Sequence, residues 1–145
     1  MDDPQRAPTR FVGVTLDEVR AAGTGLYEVI TTDGVPLRLH DMSLTRLTHD
    51  AAAGQLVMEF LYDDPLWTPP EAEATPVAVF SFDGVEVVEQ EDEPAAPDAP
   101  PEVLGQVQVF DYHEPSAIFD LQAYTTRWVF RARVVTLSVH SAREE

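Results

Sequence analysis

Arg127-Trp128-Val129-Phe130-Arg131-Ala132-Arg133-Val134-Val135-Thr136-Leu137-Ser138-Val139-His140 alternates apolar and polar residues and changes phase once, near its middle. A period of two is the mark of a β-strand with one face buried. Trp128, Phe130, Ala132 and Val134 share one parity, with Arg127, Arg131 and Arg133 opposite. From Val135 the apolar set (Val135, Leu137, Val139) takes the other parity, and Thr136, Ser138 and His140 become the polar side. A slip of one residue exchanges the two faces, so this stretch predicts one long strand with a β-bulge or a sharp bend in it.

The same period runs outward through most of the chain. Tyr27, Val29 and Thr31 alternate with Leu26, Glu28 and Ile30. Asp33-Gly34 then supplies a hairpin turn, and Val35, Leu37 and Leu39 resume the alternation. A turn or bulge near Asp41 is needed, because the apolar phase moves to Met42 and Leu44. Ser43–His49 leads into a polar-small turn at Asp50–Gly54, followed by a strong strand over Gln55–Tyr62. Val77–Phe82 is another, with Asp83-Gly84 either a tight turn into Val85–Glu89 or a bend within one continuing strand. Gly105–Tyr112 and Ala117–Tyr124 precede the quoted stretch. The one helical signal is Thr15–Ala22, with Thr15 placed to cap it, Asp17 and Glu18 at its positive start and Gly23 as its stop. The fold class is all-β with one short N-terminal helix: an antiparallel sheet or a two-sheet sandwich of about seven to eight strands.

The 145 residues fit one domain, over 10–145, behind a loose tail at 1–9. Gln90–Glu102 is acidic and Pro-rich and reads as an exposed loop between strands. There is no cysteine, which excludes disulfides and thiolate chemistry. The absence of Lys and Asn, with Ile at positions 30 and 118 only, marks a GC-rich genome. Met1–Pro8 is acidic and Pro-bearing, unlike a secretory signal, and no apolar run approaches the length of a membrane span, so the expected setting is the cytoplasm. The net charge of −17 is segregated. Residues 47–126 hold seventeen acidic side chains and no Lys or Arg, while acids and arginines balance over the rest. Such a surface attracts basic partners and repels nucleic acid and anionic membranes.

No catalytic signature stands out. No Gly-x-Ser-x-Gly elbow exists, the glycines are scattered, and no Lys is present to contact a phosphate. Asp63-Asp64 and Glu91-Asp92-Glu93 are dense in oxygen ligands but lack the alternation of a calcium loop. His40-Asp41, His49-Asp50 and His113-Glu114 carry the side chains of a metal site or a general base. Adjacent strand residues point to opposite faces, however, and turn residues at strand ends are the simpler reading. Arg127, Arg131 and Arg133 read as a solvated strand face whose arginines pair with acids on neighbouring strands, and Trp128 and Phe130 as core anchors.

Trp67 differs from these. It stands between Pro65 and Pro69-Pro70 with Asp63, Asp64, Glu71 and Glu73 around it, as a binding hot spot, as a lid folded over the sheet edge, or as both. The expected partner-binding residues are Asp63, Asp64, Trp67, Glu71, Glu73, Glu86 and Glu89. No catalytic residue, metal ligand or cofactor is assigned.

The run Leu39–Phe60, the Val79–Val85 stretch with its Phe-x-Gly-Val character and the β-rich Trp128–Val139 resemble small all-β bacterial proteins grouped with the immunity proteins of polymorphic toxin systems, nearest the Imm50-like group. That resemblance spans 39–140 and rests on loose motifs, and the acidic 90–102 segment and the N-terminal helix depart from it. It implies a non-enzymatic protein that binds and blocks a cognate toxin. The expected function is thus an acidic interaction protein that neutralises a basic protein partner. The alternatives are a small-ligand or metal-binding β-domain built on His40, His49 and His113, or a structural subunit of a larger assembly.

Overall fold

The change of phase in the quoted stretch marks a change of sheet. The computed structural model describes residues 9–22, 25–92, 107–113, 117–123 and 126–141, and in it the stretch forms two strands, Thr126–Arg131 and Val134–His140. In chain order the elements are β1 (Arg10–Val12), α1 (Leu16–Ala22), β2 (Glu28–Ile30), β3 (Pro36–Arg38), β4 (Ser43–Asp50), β5 (Gln55–Leu61), β6 (Val77–Asp83), β7 (Glu86–Asp92), β8 (Val107–His113), β9 (Ile118–Ala123), β10 (Thr126–Arg131) and β11 (Val134–His140). They form a five-stranded sheet in the order β1-β11-β6-β5-β4, a four-stranded sheet in the order β7-β10-β9-β8, and the small β2-β3 hairpin.

The all-β class is as expected, and among the described residues there is one short helix, as expected, and eleven strands, more than the expected seven to eight. The excess comes from short or divided strands. β1 has three residues, too few to set a period, and the last apolar run splits in two. Pairing is antiparallel except at one edge, where β1 runs parallel to β11 with Phe11 opposite Val135.

The two main sheets exchange chain at one corner. β6 passes into β7 across Asp83-Gly84-Val85, so this turn joins two sheets instead of closing a hairpin. β10 passes into β11 beside it: the Arg133 N–H donates to the Asp83 carbonyl at 2.9 Å, Val134 is opposite Asp83 and Arg131 opposite Glu86. Ala132 is buried and Arg133 exposed where the chain turns from one layer to the other.

Between the sheets lies a phenylalanine core. Phe60, Phe80 and Phe82 come from the five-stranded sheet and Phe110, Phe119 and Phe130 from the four-stranded one, all inaccessible to solvent. Phe82 meets Phe119 and Phe130 edge-on at 5.2 and 5.0 Å, and Phe119 stacks on Phe130 at 5.2 Å. The contacts of Phe82 with Phe119 and Phe130 cross between the sheets and define a sandwich. Truncating any one of these rings to Ala costs about 3–5 kcal/mol. Trp128 is 6% exposed, a core residue as expected.

Elsewhere local signals hold. The Thr15 Oγ1 accepts the Glu18 N–H at 3.1 Å and caps α1, while Gly23 lies outside the described residues. The β2–β3 turn uses Asp33-Gly34, tied by the Val35 N–H to the Thr31 Oγ1 at 3.0 Å. Asp50 Oδ1 accepts the Ala53 N–H at 3.1 Å in the β4–β5 turn. The bend expected near Asp41 is a single 3₁₀ turn over Leu39–Asp41, and a register shift follows it between Leu44 and Arg46. Two boundaries move. The segment expected to be a loop from Gln90 is still β7 through Asp92, and its remainder, 93–102, lies outside the described residues, as do residues 1–8. Thr9, placed in the tail by its sequence, is buried. Its hydroxyl donates to the Ala132 carbonyl at 2.8 Å and its N–H to the Tyr112 hydroxyl at 3.2 Å. Among the described residues no helix is long and apolar enough to cross a membrane.

Candidate functional site

Between β5 and β6 the chain leaves the sheet and returns, and the Tyr62 N–H closes the base of this excursion on the Pro76 carbonyl at 2.9 Å. Prolines and one aspartate shape it from within. Asp64 Oδ1 accepts the Leu66 N–H at 3.0 Å, its carbonyl accepts the Thr68 hydroxyl at 2.9 Å, and Pro65 supplies a fixed φ at the first position of a 3₁₀ turn over Pro65–Trp67. A second turn, Pro70–Ala72, follows. Pro69 and Ala72 are buried and anchor the loop to the body. The result is a compact loop that holds two large apolar side chains in solvent: Leu66 is 86% exposed and Trp67 60%. Trp67 does not fold down as a lid over the sheet edge.

The facing wall comes from the Leu39–Asp41 turn and the start of β4. The Ser43 hydroxyl donates to Asp63 Oδ2 at 2.8 Å and joins the two walls, and the His40 Nδ1 lies 3.3 Å from the Tyr27 hydroxyl. His40, Asp41, Met42, Ser43, Asp63, Asp64 and Trp67 line a cleft of about 410 Å³. Three of these seven are carboxylates and none is an arginine. Six acids elsewhere pair with arginines: Asp17 with Arg20, Glu28 with Arg38, Glu59 with Arg46, Asp120 and Glu89 with Arg127, and Glu86 with Arg131. Among the described residues no ion pair includes Asp41, Asp63 or Asp64. Two neighbouring phenols register the negative field. Burial, then the charges of Asp41 and Glu28, raises the pKa of Tyr27 above its ordinary value. Tyr62 is raised chiefly by burial too, with the hydrogen bond from Arg38 opposing and Asp41 adding to the rise.

Of the seven residues expected to bind a partner, Asp63, Asp64 and Trp67 converge here. Glu71 and Glu73 are exposed on the same loop but do not line the cleft. Glu86 and Glu89 stand on β7, in the other sheet, 4.0 and 3.7 Å from Arg131 and Arg127. Within the arginine stripe, Arg127 and Arg131 pair with neighbouring acids as the sequence suggests, most closely where Arg127 bonds Asp120 through Nε and Nη2 at 3.2 and 3.1 Å, whereas among the described residues no ion pair includes Arg133. The wall from His40 to Ser43 was not expected. His40-Asp41 stands out in the sequence, but nothing there shows that it faces residues more than twenty positions later. The three histidines do not make a metal centre. His40 is in the cleft, His49 lies edge-on to Trp128 at 5.4 Å, His113 ends β8, and among the described residues no group of three potential ligands is placed to hold a metal ion.

No family model matches the chain, and neither a curated protein nor a solved structure is similar to it.

Proposed function

We propose that this chain is a non-enzymatic interaction protein that captures a basic protein partner through Leu66, Trp67 and the adjoining acidic cleft. One observation carries the reading. A leucine and a tryptophan, 86% and 60% exposed, are held out by a loop that is tied at its base and capped from within, so ordering them on binding costs little. Exposed aromatic anchors of this kind dominate binding energy where they are desolvated. The surrounding carboxylates steer a basic surface onto them. A basic toxin blocked by its immunity protein is the partner this chemistry suits, in line with the resemblance of residues 39–140. Glu86 and Glu89, already paired with arginines, belong to the long-range field and not to the contact.

The test is binding between the purified chain and the products of genes adjacent to its own, with Trp67→Ser and the Asp63→Asn/Asp64→Asn pair as variants. Trp67→Ser should weaken the complex by roughly thirtyfold or more, the scale of a hot-spot residue. The double variant should lower the association rate and flatten its salt dependence. A cognate partner whose affinity ignores all three substitutions and ignores salt would overturn the reading.

A further inference from the structure

We infer that the cleft beneath Trp67 is a receptor for a guanidinium group, so that the partner is anchored by an arginine side chain and not merely by general positive charge. The inference rests on the preceding reading and specifies its chemistry. The carboxylates of Asp63 and Asp64 are each held by a single hydrogen bond, from the Ser43 hydroxyl to Oδ2 of Asp63 and from the Leu66 N–H to Oδ1 of Asp64. Each keeps its second oxygen available, and Asp41 adds a third carboxylate to the lining. Acceptors spread over separate side chains suit a planar fork of five N–H donors better than the compact ammonium of lysine. The exposed indole of Trp67 on the same cleft offers a flat face on which a guanidinium stacks, by cation–π attraction and by plane-on-plane contact. Leu66, more exposed still, meets the apolar stem of such a side chain or its neighbours. Among the described residues no arginine lines this cleft. Arg20, Arg38, Arg46, Arg127 and Arg131 are engaged with other acids, and no basic side chain longer than His40 lines the cleft. About 410 Å³ leaves room for one long side chain entering from solvent.

Three capped tripeptides, Gly-Arg-Gly, Gly-Lys-Gly and Gly-citrulline-Gly, serve as probes, titrated into the isotopically labelled full chain and followed by backbone amide and indole shifts. Trp67 fluorescence in a Trp128→Phe variant gives a second readout, since the remaining indole is the exposed one. The arginine peptide should move the resonances of residues 40–43 and 63–68, on the order of tenfold more tightly than the lysine peptide, with citrulline silent. Asp63→Asn with Asp64→Asn keeps both acceptors and the cap while removing charge, and should abolish the shifts. Trp67→Phe should retain part of the affinity and Trp67→Leu should lose it. Equal affinity for lysine, or arginine-induced shifts that map elsewhere or survive the double substitution, would overturn the guanidinium site. So would the absence of any shift with all three peptides. The broader reading of a basic partner is decided separately, by the adjacent-gene binding assay, so the two can fail independently.

Discussion

Gly13 and Gly34 adopt almost the same left-handed φ, +89° and +87°, yet they answer to different constraints. Gly34 sits at an open turn where an added Cβ meets nothing, so Gly34→Ala carries only the intrinsic strain of a left-handed L-residue, about 1–2 kcal/mol. A Cβ on Gly13 would collide with the Leu137 carbonyl, which cannot move without disturbing β11 at the place where β1 joins it. Gly13→Ala should therefore cost at least about 1–3 kcal/mol more than Gly34→Ala in urea unfolding, the added cost of overpacking. Tyr62 shows a second residue-level dependence. Its hydroxyl donates to the Pro36 carbonyl and accepts the Arg38 N–H, both at 2.8 Å, and so clasps the β2–β3 hairpin to the end of β5. Tyr62→Phe strands both backbone groups and should cost about 1–3 kcal/mol. The phenol's folded pKa lies above its ordinary value of 10.0, so between the two the folded state holds the extra proton. Stability is then fully present below pH 10 and falls as pH rises from there through the folded value. Urea midpoints followed up through that range should drop more steeply for the native chain than for Tyr62→Phe.

Elements differ in how far their neighbours along the chain determine them. The Asp64 cap belongs to one loop alone: Asp64→Ala removes the acceptor for the Leu66 N–H and should cost about 0.5–2 kcal/mol, felt locally. Amide exchange at Leu66 and Trp67 should quicken with little change in global unfolding, and Asp64→Asn, which can still cap, should restore the slow rates. Features set by short-range chemistry of this kind were legible in the sequence: the Thr15 cap, the Asp33-Gly34 and Asp50–Gly54 turns, and the strands β5 and β6. The phase change within 127–140 was legible as an event but not in kind. A bulge and a change of sheet leave the same one-residue slip, and only Arg133 meeting Asp83 across the corner separates them. β1 was not legible because three residues show no period and its partner strand lies at the far end of the chain. The site divides likewise. Asp63, Asp64 and Trp67 announce themselves as charge and an aromatic between prolines, whereas the wall from His40 to Ser43 joins them only because β4 pairs with β5 and brings Ser43 opposite Leu61.

For the whole molecule the net charge of −17 acts on folding and on binding with opposite sign under salt. The compact chain concentrates its acids and repels itself, and nine arginines across the full sequence leave most of them unmatched. Salt screens this repulsion over a distance of about 8 Å at physiological strength and about 3 Å at 1 M. Thermal unfolding should therefore shift upward as sodium chloride is raised from low concentration toward 1 M. The same screening weakens the attraction between the acidic cleft and a basic partner, so the association rate should fall over that range while the dissociation rate, governed by Leu66 and Trp67, changes much less. Replacing acids outside the cleft offers a check on the division of labour. Neutralising Glu71 and Glu73 together should lower the association rate modestly and leave dissociation untouched, because neither lines the cleft. Trp67→Ser should do the reverse. Calorimetric unfolding and stopped-flow binding across one salt series test both halves. A melting temperature that falls with added salt would show that local ion pairs such as Arg127–Asp120, rather than net repulsion, dominate the electrostatics of the fold.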